Sequence, residues 1–268
     1  VRWLLHWRRP LVVYDFDDAI FTTELQTQDN WLAALKLRRN ARGLPAMLRL
    51  ADMAVLENDY TGQFASNYCP TFIITGPVNT DSYHFPPARV DGDETVVLGW
   101  IGSATTSRYL TLIREPLCRL GRRFPNLRLE VVGAVAPEMN GLSVRSKTWQ
   151  LEREGEDLGR FDIGLMPITD DAWTRGKGGY KLLQYMASGL PVVASPVGVN
   201  AQIVLDGESG FLANDDDEWE EHLAHLVSDG SLRRQMGRRG RAAVEARFAL
   251  SLHQERLYDM LVALVNRP

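Results

Sequence analysis

Short apolar runs alternate with amphipathic stretches along most of the chain. Strands are predicted where four or more mostly apolar residues end in glycine or polar positions, at residues 11–14, 53–58, 71–79, 96–102, 127–133, 161–168 and 191–196. Helical spacing of apolar residues marks the segments between them, at residues 32–50, 60–68, 110–123, 152–158 and 180–187. From residue 218 onward the pattern is nearly all helical. Because strands separated by helices form right-handed βαβ units, we predict an α/β protein with a doubly wound parallel sheet.

One segment interrupts this alternation. The sequence YHFPPARVDGDET at residues 83–95 contains two prolines, a glycine and four charged residues but few apolar ones. This composition is typical of a linker. We therefore predict a boundary near residues 86–94, with one domain at residues 1–90, a second at 91–249 and a terminal helix at 250–268.

The composition is that of a folded, soluble protein. Of the 268 residues, 45% are hydrophobic and 24% are charged, and the formal net charge is -4. Nucleic-acid-binding proteins are usually basic, so we expect no nucleic-acid partner. Cys69 and Cys118 stand in dissimilar segments, which argues against a disulfide and favours a reducing, cytoplasmic location. No apolar run is long enough to span a membrane.

The predicted strand ends carry the candidate chemistry, because ligands of open α/β sheets bind beyond the carboxyl ends of the strands. Gly102 and Ser103 follow the strand VVLGWI. A glycine there lets backbone N–H groups approach a phosphate, and Ser103 adds a hydroxyl. A tight strand-to-helix turn explains the glycine equally well.

A stronger signal is the stretch RGKGGYKLLQYMASG at residues 175–189. Gly176 lies in its glycine-rich loop, and Lys177 and Lys181 stand four residues apart near the start of a predicted helix. Cations are electrostatically unfavourable at a helix N-terminus unless an anion binds there. The alternative is an exposed basic loop. Gln184 follows in the same helix, and its amide can bind the vicinal hydroxyls of a ribose.

Two further regions are open to more than one interpretation. Gly198 and Asn200, after the strand at residues 191–196, can donate backbone hydrogen bonds to the same anion or form an ordinary loop. Five arginines near the C-terminus fit either a solvated helix face or contact with anionic lipid at a membrane surface. They are Arg233, Arg234, Arg238, Arg239 and Arg241.

The acidic segment YDFDDAIF places Asp15, Asp17 and Asp18 at the end of the first predicted strand. Clustered carboxylates need a cation or a hydroxyl-bearing substrate. One hypothesis is a Mg²⁺-dependent phosphatase of the haloacid-dehalogenase type that uses Asp15 and Asp17, although that type has Thr or Val where Ala19 stands. Its later lysine and acidic pair are imperfectly matched by Lys177 and by Asp170 with Asp171. A solvated, helix-capping turn is the other interpretation.

The histidines suggest no metal site. His6, His84, His222, His225 and His253 show no metal-ligand spacing with acids or cysteines. We therefore expect no bound metal.

Several of these motifs, taken in order, resemble the nucleotide-sugar half of GT-B glycosyltransferases of family 4, also called glycosyltransferase group 1. They are VVLGWIGS, FDIGLMPI, RGKGGYKLLQYMASGLPVVASPVG and VLDGESGFLAND, which together span about residues 95–250. The resemblance implies two Rossmann-like domains, the second of which binds the donor, and a last helix that crosses back to the first. Residues 10–85 resemble only the second half of an acceptor domain, so we expect the N-terminal domain to be incomplete.

The family's donor residues carry over to this sequence position by position. Its glycine-rich first turn falls on Gly102 and Ser103, where many members have arginine in place of the serine. Its pair of glutamates falls on Gly176 and Gln184, neither of which is a glutamate. By the resemblance, Lys177 and Lys181 neutralise the donor diphosphate, and these two lysines together with Asp17 are the only catalytic candidates. Asp15, Asp17 and Asp18 would face the cleft and engage acceptor or donor hydroxyls.

The resemblance implies a hexosyltransferase that retains anomeric configuration without a metal or cofactor. Its partners would be a nucleoside-diphosphate sugar and a glycan or lipid-linked acceptor, at the inner face of a membrane or free in the cytoplasm. The absent glutamates keep open a second hypothesis, a nucleotide-sugar-binding module without catalysis. The haloacid-dehalogenase hypothesis is the third.

Overall fold

The computed structural model describes residues 10–22, 31–87 and 94–266. Within these ranges the chain divides into two compact units by its internal contacts. The first contains the described residues of Val1–Pro77, Asp170–Gly178 and Ser251–Pro268, and the second contains those of Val78–Thr169 and Gly179–Leu250. The contact-based division therefore falls at Pro77–Val78. Most of the predicted linker, residues 88–93, lies outside the described residues, as does His6.

The first unit is built on a three-stranded parallel sheet in the order β1-β2-β3. Its elements are β1 (Val13–Phe16), α1 (Trp31–Leu48), β2 (Met53–Leu56), α2 (Asp59–Ala65), β3 (Thr71–Ile73) and most of α9 (Leu250–Val265). All four residues of β2 are buried, because each face of this central strand contacts a different apolar cluster. Ala54 and Leu56 pack with Phe16 and Leu48 on one face. Met53 and Val55 pack with Met260 and other residues on the opposite face.

The second unit has a six-stranded sheet in the order β6-β5-β4-β7-β8-β9, with every paired register parallel. Its strands are β4 (Val96–Ile101), β5 (Leu127–Val132), β6 (Ser143–Lys147), β7 (Ile163–Met166), β8 (Val192–Ala194) and β9 (Gly210–Leu212). Its helices are α3 (Arg114–Arg123), α4 (Glu154–Leu158), α5 (Tyr180–Ala187), α6 (Asn200–Ile203), α7 (Asp216–Ser228) and α8 (Gly230–Arg247). Large apolar clusters cover the sheet, so the predicted α/β class with parallel sheets is confirmed.

The strand order reverses at the centre of this second sheet. After β4 the chain adds β5 and β6 on one side, and then β7, β8 and β9 on the other side. The carboxyl ends of β4 and β7 therefore flank a topological switch point, which is where open α/β sheets bind ligands. Gly102 is the first residue after β4.

Several elements differ from the sequence-based prediction. Strands β6 and β9 and the short helix α6 were not predicted. The predicted helix at residues 110–123 begins instead as a 3-10 helix at Ser107–Ile113 and becomes α-helical only from Arg114. β6 was not predicted because it lies at the edge of the sheet, where four of its five residues are exposed and no apolar alternation marks it.

Candidate functional site

Gly102 leaves space for a lysine at the carboxyl end of β4. Its N–H donates to the carbonyl oxygen of Val132, 2.9 Å away, which continues the β4–β5 pairing by one residue. A Cβ at position 102 would lie 2.4 Å from Nζ of Lys181 and 2.7 Å from the Trp100 ring. A side chain at position 102 would displace the Lys181 ammonium or the Trp100 ring, so the glycine leaves this edge of the sheet open to the ammonium.

Helix α5 places Lys181 there through two anchors. Gly179, which caps the helix, has φ 70°, and a Cβ on it would lie 2.5 Å from Cδ1 of Ile203. Tyr185, one turn after Lys181 on the same face, is fully buried, and its hydroxyl accepts a hydrogen bond from the N–H of Ile101, 2.9 Å away. The helix start and its face toward β4 are both fixed by these contacts.

The Lys181 ammonium has an aromatic neighbour in the second unit. Its Nζ lies 4.2 Å from the centroid of the Trp100 ring and 3.5 Å from Oγ1 of Thr106. A cation at a helix N-terminus is disfavoured by the helix dipole, and the indole face offsets part of that cost. The arrangement holds a positive charge at the switch point, where an anionic ligand group can contact it.

Ser103 forms the turn that follows Gly102. Its carbonyl oxygen accepts from the N–H groups of Thr106 and Ser107, and its exposed hydroxyl lies 2.8 Å from Oγ1 of Thr105. Gly198, on the loop after β8, has φ 55° and is exposed. Asn200 differs from both, because it is buried and its amide donates to the Ser195 carbonyl oxygen at 3.1 Å. The Asn200 side chain therefore holds the β8–α6 turn together.

Gln184 belongs to a buried polar network that the sequence did not indicate. Its Nε2 donates to Oε1 of Glu154 at 2.7 Å and to the Tyr83 hydroxyl at 3.2 Å. The Tyr83 hydroxyl donates to the same Glu154 oxygen, and burial raises the Tyr83 pKa above its ordinary value. The other oxygen, Oε2 of Glu154, accepts from Nε1 of Trp149 at 2.8 Å. Gln184 thus has two protein partners, and its binding to a ribose stays a prediction.

The first unit carries a separate group of acidic side chains. Asp15, Asp17 and Asp18 lie at the end of β1, as the sequence indicated, and Glu57 follows β2. The pKa of Glu57 is raised to about 7, first by burial and then by the charges of the three aspartates, and Lys177 offsets part of this rise. Partial burial and then Asp17 raise the pKa of Asp15. Glu57 was not among the predicted site residues, although an acid near the carboxyl end of the predicted strand at residues 53–58 is the available signal.

Lys177 lies beside this acidic group. Its Nζ is 3.5 Å from Oδ1 of Asp18 and 5.5 Å from the centroid of the Trp173 ring. Its backbone is extended, with φ -75° and ψ 142°, and α5 begins only at Tyr180. Lys177 and Lys181 are therefore not one helical turn apart, and they belong to different units. A shared role of the two lysines at one diphosphate stays a prediction.

Gly176 has no room for a side chain. A Cβ there would lie 2.4 Å from Cβ of Ala19 and 2.8 Å from its backbone nitrogen. Asn58, which is 3% exposed, donates to the carbonyl oxygens of Gly176 at 2.8 Å and Lys177 at 3.2 Å. A Cβ on Gly178 would lie 2.0 Å from Oε2 of Glu57. The glycines of this loop thus permit close packing against Ala19 and Glu57, which explains why no glutamate stands at position 176.

The remaining candidates have local partners. Asp170 pairs with Arg175 at 2.6 Å, and Asp171 caps the turn at Trp173 and Thr174. Among residues 10–22, 31–87 and 94–266, no group of three or more His, Cys, Asp or Glu side chains has the geometry of a metal site. Cys69 and Cys118 are buried free thiols. Asp170 and Asp171, the acidic pair of the haloacid-dehalogenase hypothesis, thus have local partners and give that hypothesis no geometric support.

The arginine run divides into two groups. Arg233 donates to the carbonyl oxygens of Leu226 and Val227, and Arg241 donates to those of Tyr83 and Ala187. These two arginines therefore join helices and loops within the second unit. The other members, Arg234, Arg238 and Arg239, are exposed. Of the helices in the part of the chain that the structure describes, none combines the length and the apolar character needed to cross a bilayer.

Comparison with known proteins points to one family. Residues 95–229, half of the chain, match the family described as "Glycosyl transferases group 1". A D-inositol 3-phosphate glycosyltransferase from Kribbella flavida is 30% identical over 171 residues, which cover 57% of this chain and 39% of that protein. A trehalose synthase from Pyrococcus horikoshii is 31% identical over 86 residues, or 32% of this chain and 21% of that protein. The chain thus matches less than half the length of each of these relatives.

The fold has counterparts among solved structures. The Anabaena protein HepE, in a crystal structure with UDP-glucose, superposes with a TM-score of 0.71 at 15% sequence identity. The match covers 97% of this chain and 74% of the HepE chain. A sucrose-phosphate synthase from Thermosynechococcus elongatus superposes with a TM-score of 0.69 at 16% sequence identity, over 98% of this chain and 71% of that chain. At this level of identity the likeness establishes the GT-B fold alone.

Proposed function

Because the chain belongs to the glycosyl transferases of group 1, we propose that it transfers a hexose from a nucleoside-diphosphate sugar to a glycan or lipid-linked acceptor. The matched residues include β4, β5, β7 and α5, and thus the strand ends and the helix that hold Gly102 and Lys181. The nucleotide-sugar class is supported by HepE, whose crystal structure is of a complex with UDP-glucose.

The position of Lys181 against Gly102 is the observation that carries this proposal. In the transfer, the bond from the anomeric carbon to the donor phosphate oxygen breaks, a bond to the acceptor hydroxyl oxygen forms, and the proton of that hydroxyl passes to the departing diphosphate. The departing nucleoside diphosphate gains negative charge as its bond breaks. A preorganised cation beside it stabilises the transition state more than the ground state. Lys181, fixed by α5 at the switch point, is that cation in our proposal.

We assign the donor contacts as the resemblance implies. The backbone N–H groups after β4 and β8, at Ser103 and Gly198, contact the diphosphate in this proposal, and Gln184 contacts the ribose. Lys177 contributes a second positive charge. Asp15, Asp17 and Asp18 bind hydroxyls of the acceptor or of the donor sugar.

The stereochemistry and the location are part of the same proposal. We infer retention of anomeric configuration, no metal and no cofactor, as in family 4, with no protein nucleophile. We propose a cytoplasmic location, where the exposed Arg234, Arg238 and Arg239 contact anionic lipid at the inner face of the membrane.

The test is nucleoside-diphosphate release from a panel of UDP-, GDP- and ADP-hexoses, with glycan and polyprenyl-phosphate acceptors, with and without EDTA. We expect release that depends on the acceptor, persists in EDTA and yields a product of unchanged anomeric configuration by proton NMR. Lys181→Gln should lower the rate by 10²–10³-fold, the usual loss when one stabilising donor is removed. Arg122→Gln, which removes an exposed cation on α3 of the same unit, is the matched control and should leave the rate unchanged.

The rival hypotheses predict different results. Saturable nucleotide binding without sugar transfer to any acceptor would support the non-catalytic binding module. Phosphate release that EDTA abolishes would support the phosphatase.

A further inference from the structure

Trp149 is an exposed aromatic side chain at the carboxyl edge of the second sheet. It follows β6 by two residues, and 44% of its surface is exposed. Trp100 and Trp219, in the same unit, are 1% and 3% exposed and belong to the core. Trp149 is therefore not a core residue, and an indole ring left in solvent at this edge needs another explanation.

Two glycines connect Trp149 to the Lys181 site. A Cβ on Gly133, the residue after β5, would lie 2.3 Å from the Gly102 carbonyl oxygen and 3.2 Å from Cβ of Trp149. Gly133 thus lies between Gly102 and Trp149, and its lack of a side chain lets both approach it closely. Since β4, β5 and β6 are neighbours in the sheet, the ends of β4 and β6 lie about 10 Å apart. The carboxyl ends of β4, β5 and β6 thus form a row, with the Lys181 ammonium at its β4 end and Trp149 at its β6 end.

The orientation of the Trp149 ring is fixed by Glu154. Nε1 of Trp149 donates to Oε2 of Glu154 at 2.8 Å, while Oε1 of Glu154 is held by the Tyr83 hydroxyl and by Gln184. The carboxylate is therefore held by groups on three segments of the second unit, and it directs the indole N–H edge of the ring before any ligand binds. A preorganised ring loses little conformational entropy when a planar group stacks on it.

We propose that Trp149 is the stacking platform for the nucleobase of the donor, and that Glu154 is the positioning residue that holds its ring. The inference rests on the proposed function, because it assigns the base of the nucleoside diphosphate whose phosphates contact Lys181. The ribose and the phosphates span the row from Trp149 through Gly133 to Gly102. Stacking on an indole tolerates any base, so Trp149 provides affinity and leaves the choice of base to other groups.

The experiment is calorimetric titration of the full chain with UDP, GDP, ADP and inorganic pyrophosphate. Trp149→Ala should weaken binding of every nucleoside diphosphate by about 10–100-fold, the range for loss of one base–aromatic stack. It should change the affinity for pyrophosphate by no more than about twofold, because pyrophosphate has no base to stack. Trp149→Phe should retain most of the affinity. Leu151→Ala, which alters another exposed apolar side chain of the same loop, is the matched control and should change nothing.

The role of Glu154 is tested by a double-mutant cycle. If Glu154 acts through the ring, Glu154→Ala should weaken nucleotide binding in the wild-type background and have no further effect in Trp149→Ala. Additive losses would show that Glu154 acts through Gln184 or through the fold and not through the ring, and would overturn its positioning role.

The outcomes separate this inference from the proposed function. Nucleotide binding that Trp149→Ala leaves unchanged would overturn the inference alone. An equal loss for pyrophosphate and nucleotides would also overturn it, because the effect would then be structural. Failure of every nucleoside diphosphate to bind the wild-type chain would overturn the proposed function and this inference with it.

Discussion

The side-chain amide of Asn58 donates hydrogen bonds to the carbonyl oxygens of Gly176 and Lys177, residues more than a hundred positions away in sequence. Asn58 also caps α2, because its Oδ1 accepts from the N–H of Thr61 at 3.0 Å. One buried side chain thus fixes both the start of a helix and the loop that carries Lys177 within the first unit.

Replacing Asn58 with Ala should lower the free energy of unfolding by about 1–3 kcal/mol, because two carbonyl groups and a helix cap lose their partner inside the protein. The measurement is urea unfolding followed by circular dichroism. Asn67→Ala is the matched control, since the Asn67 amide also donates to two carbonyl oxygens but is exposed. The prediction is contradicted if Asn58→Ala lowers the free energy of unfolding no more than Asn67→Ala does.

Glu57 should make stability depend on pH. Its pKa is about 7 in the folded protein, above the ordinary value of 4.5, so the folded state keeps a proton that the unfolded state releases. The stability that this proton provides is complete below about pH 4.5 and is lost as the pH rises to about 7. Glu57→Gln should therefore be more stable than the wild type at pH 8, by about 1–2 kcal/mol after allowance for solvent screening, and equally stable at pH 4.5.

The measurement is urea unfolding of both proteins at the two pH values. Glu255→Gln, which alters an exposed acid on α9 in the same unit, should show no such pH dependence. If the difference in the free energy of unfolding between the wild type and Glu57→Gln is the same at both pH values, the prediction is wrong.

Gly176→Ala should destabilise the protein by about 1–3 kcal/mol, because the new methyl group would overlap Ala19. The double variant Ala19→Gly with Gly176→Ala should recover part of that loss. Gly43→Ala is the control: nothing lies within 4 Å of a Cβ at this position of α1, and alanine there should stabilise the helix by about 0.5–1 kcal/mol. Thermal melting of the four proteins distinguishes the steric effect from the general effect of replacing glycine.

Lys147 is paired with two buried carboxylates in the second unit. It contacts Glu130, and its Nζ lies 3.0 Å from Oδ1 of Asp157. Glu130 and Asp157 are 8% and 3% exposed. Lys147→Met should therefore cost about 3–5 kcal/mol, because both acids are left buried without a partner cation.

The companion variant for Lys147 neutralises the whole cluster. Lys147→Met combined with Glu130→Gln and Asp157→Asn should be clearly more stable than Lys147→Met alone in chemical unfolding. Equal stability of the two variants would mean that the buried charges are not the source of the loss.

Most of the elements could be predicted from the sequence, because buried parallel strands are continuous apolar runs. β4, β5 and β8 lie within the segments that the pattern predicts. β6 has the sequence SVRSK and β9 has only three residues, so neither shows a recognisable period. β6 lacks an apolar pattern because it is mostly exposed, whereas β9 packs on the core but is too short to show a period.

The candidate site was only partly predictable for a related reason. Gly102 and Lys181 were found because each stands at the end of an apolar run or at a helix start. Glu57, Asn58 and Glu154 were missed because their partners are distant in sequence. Asn58 bonds Gly176, and Glu154 bonds Tyr83 and Gln184. Only the fold brings these segments together.

Strand β6 lies at one edge of the six-stranded sheet and exposes most of its side chains, including Arg145. An open edge strand offers unpaired N–H and C=O groups to any other extended chain. Two copies of the protein that approach through this edge bring the like charges of their exposed Arg145 side chains together. The sequence of β6, poor in apolar residues and with an exposed cation at its centre, thus protects the protein against edge-to-edge aggregation at high concentration.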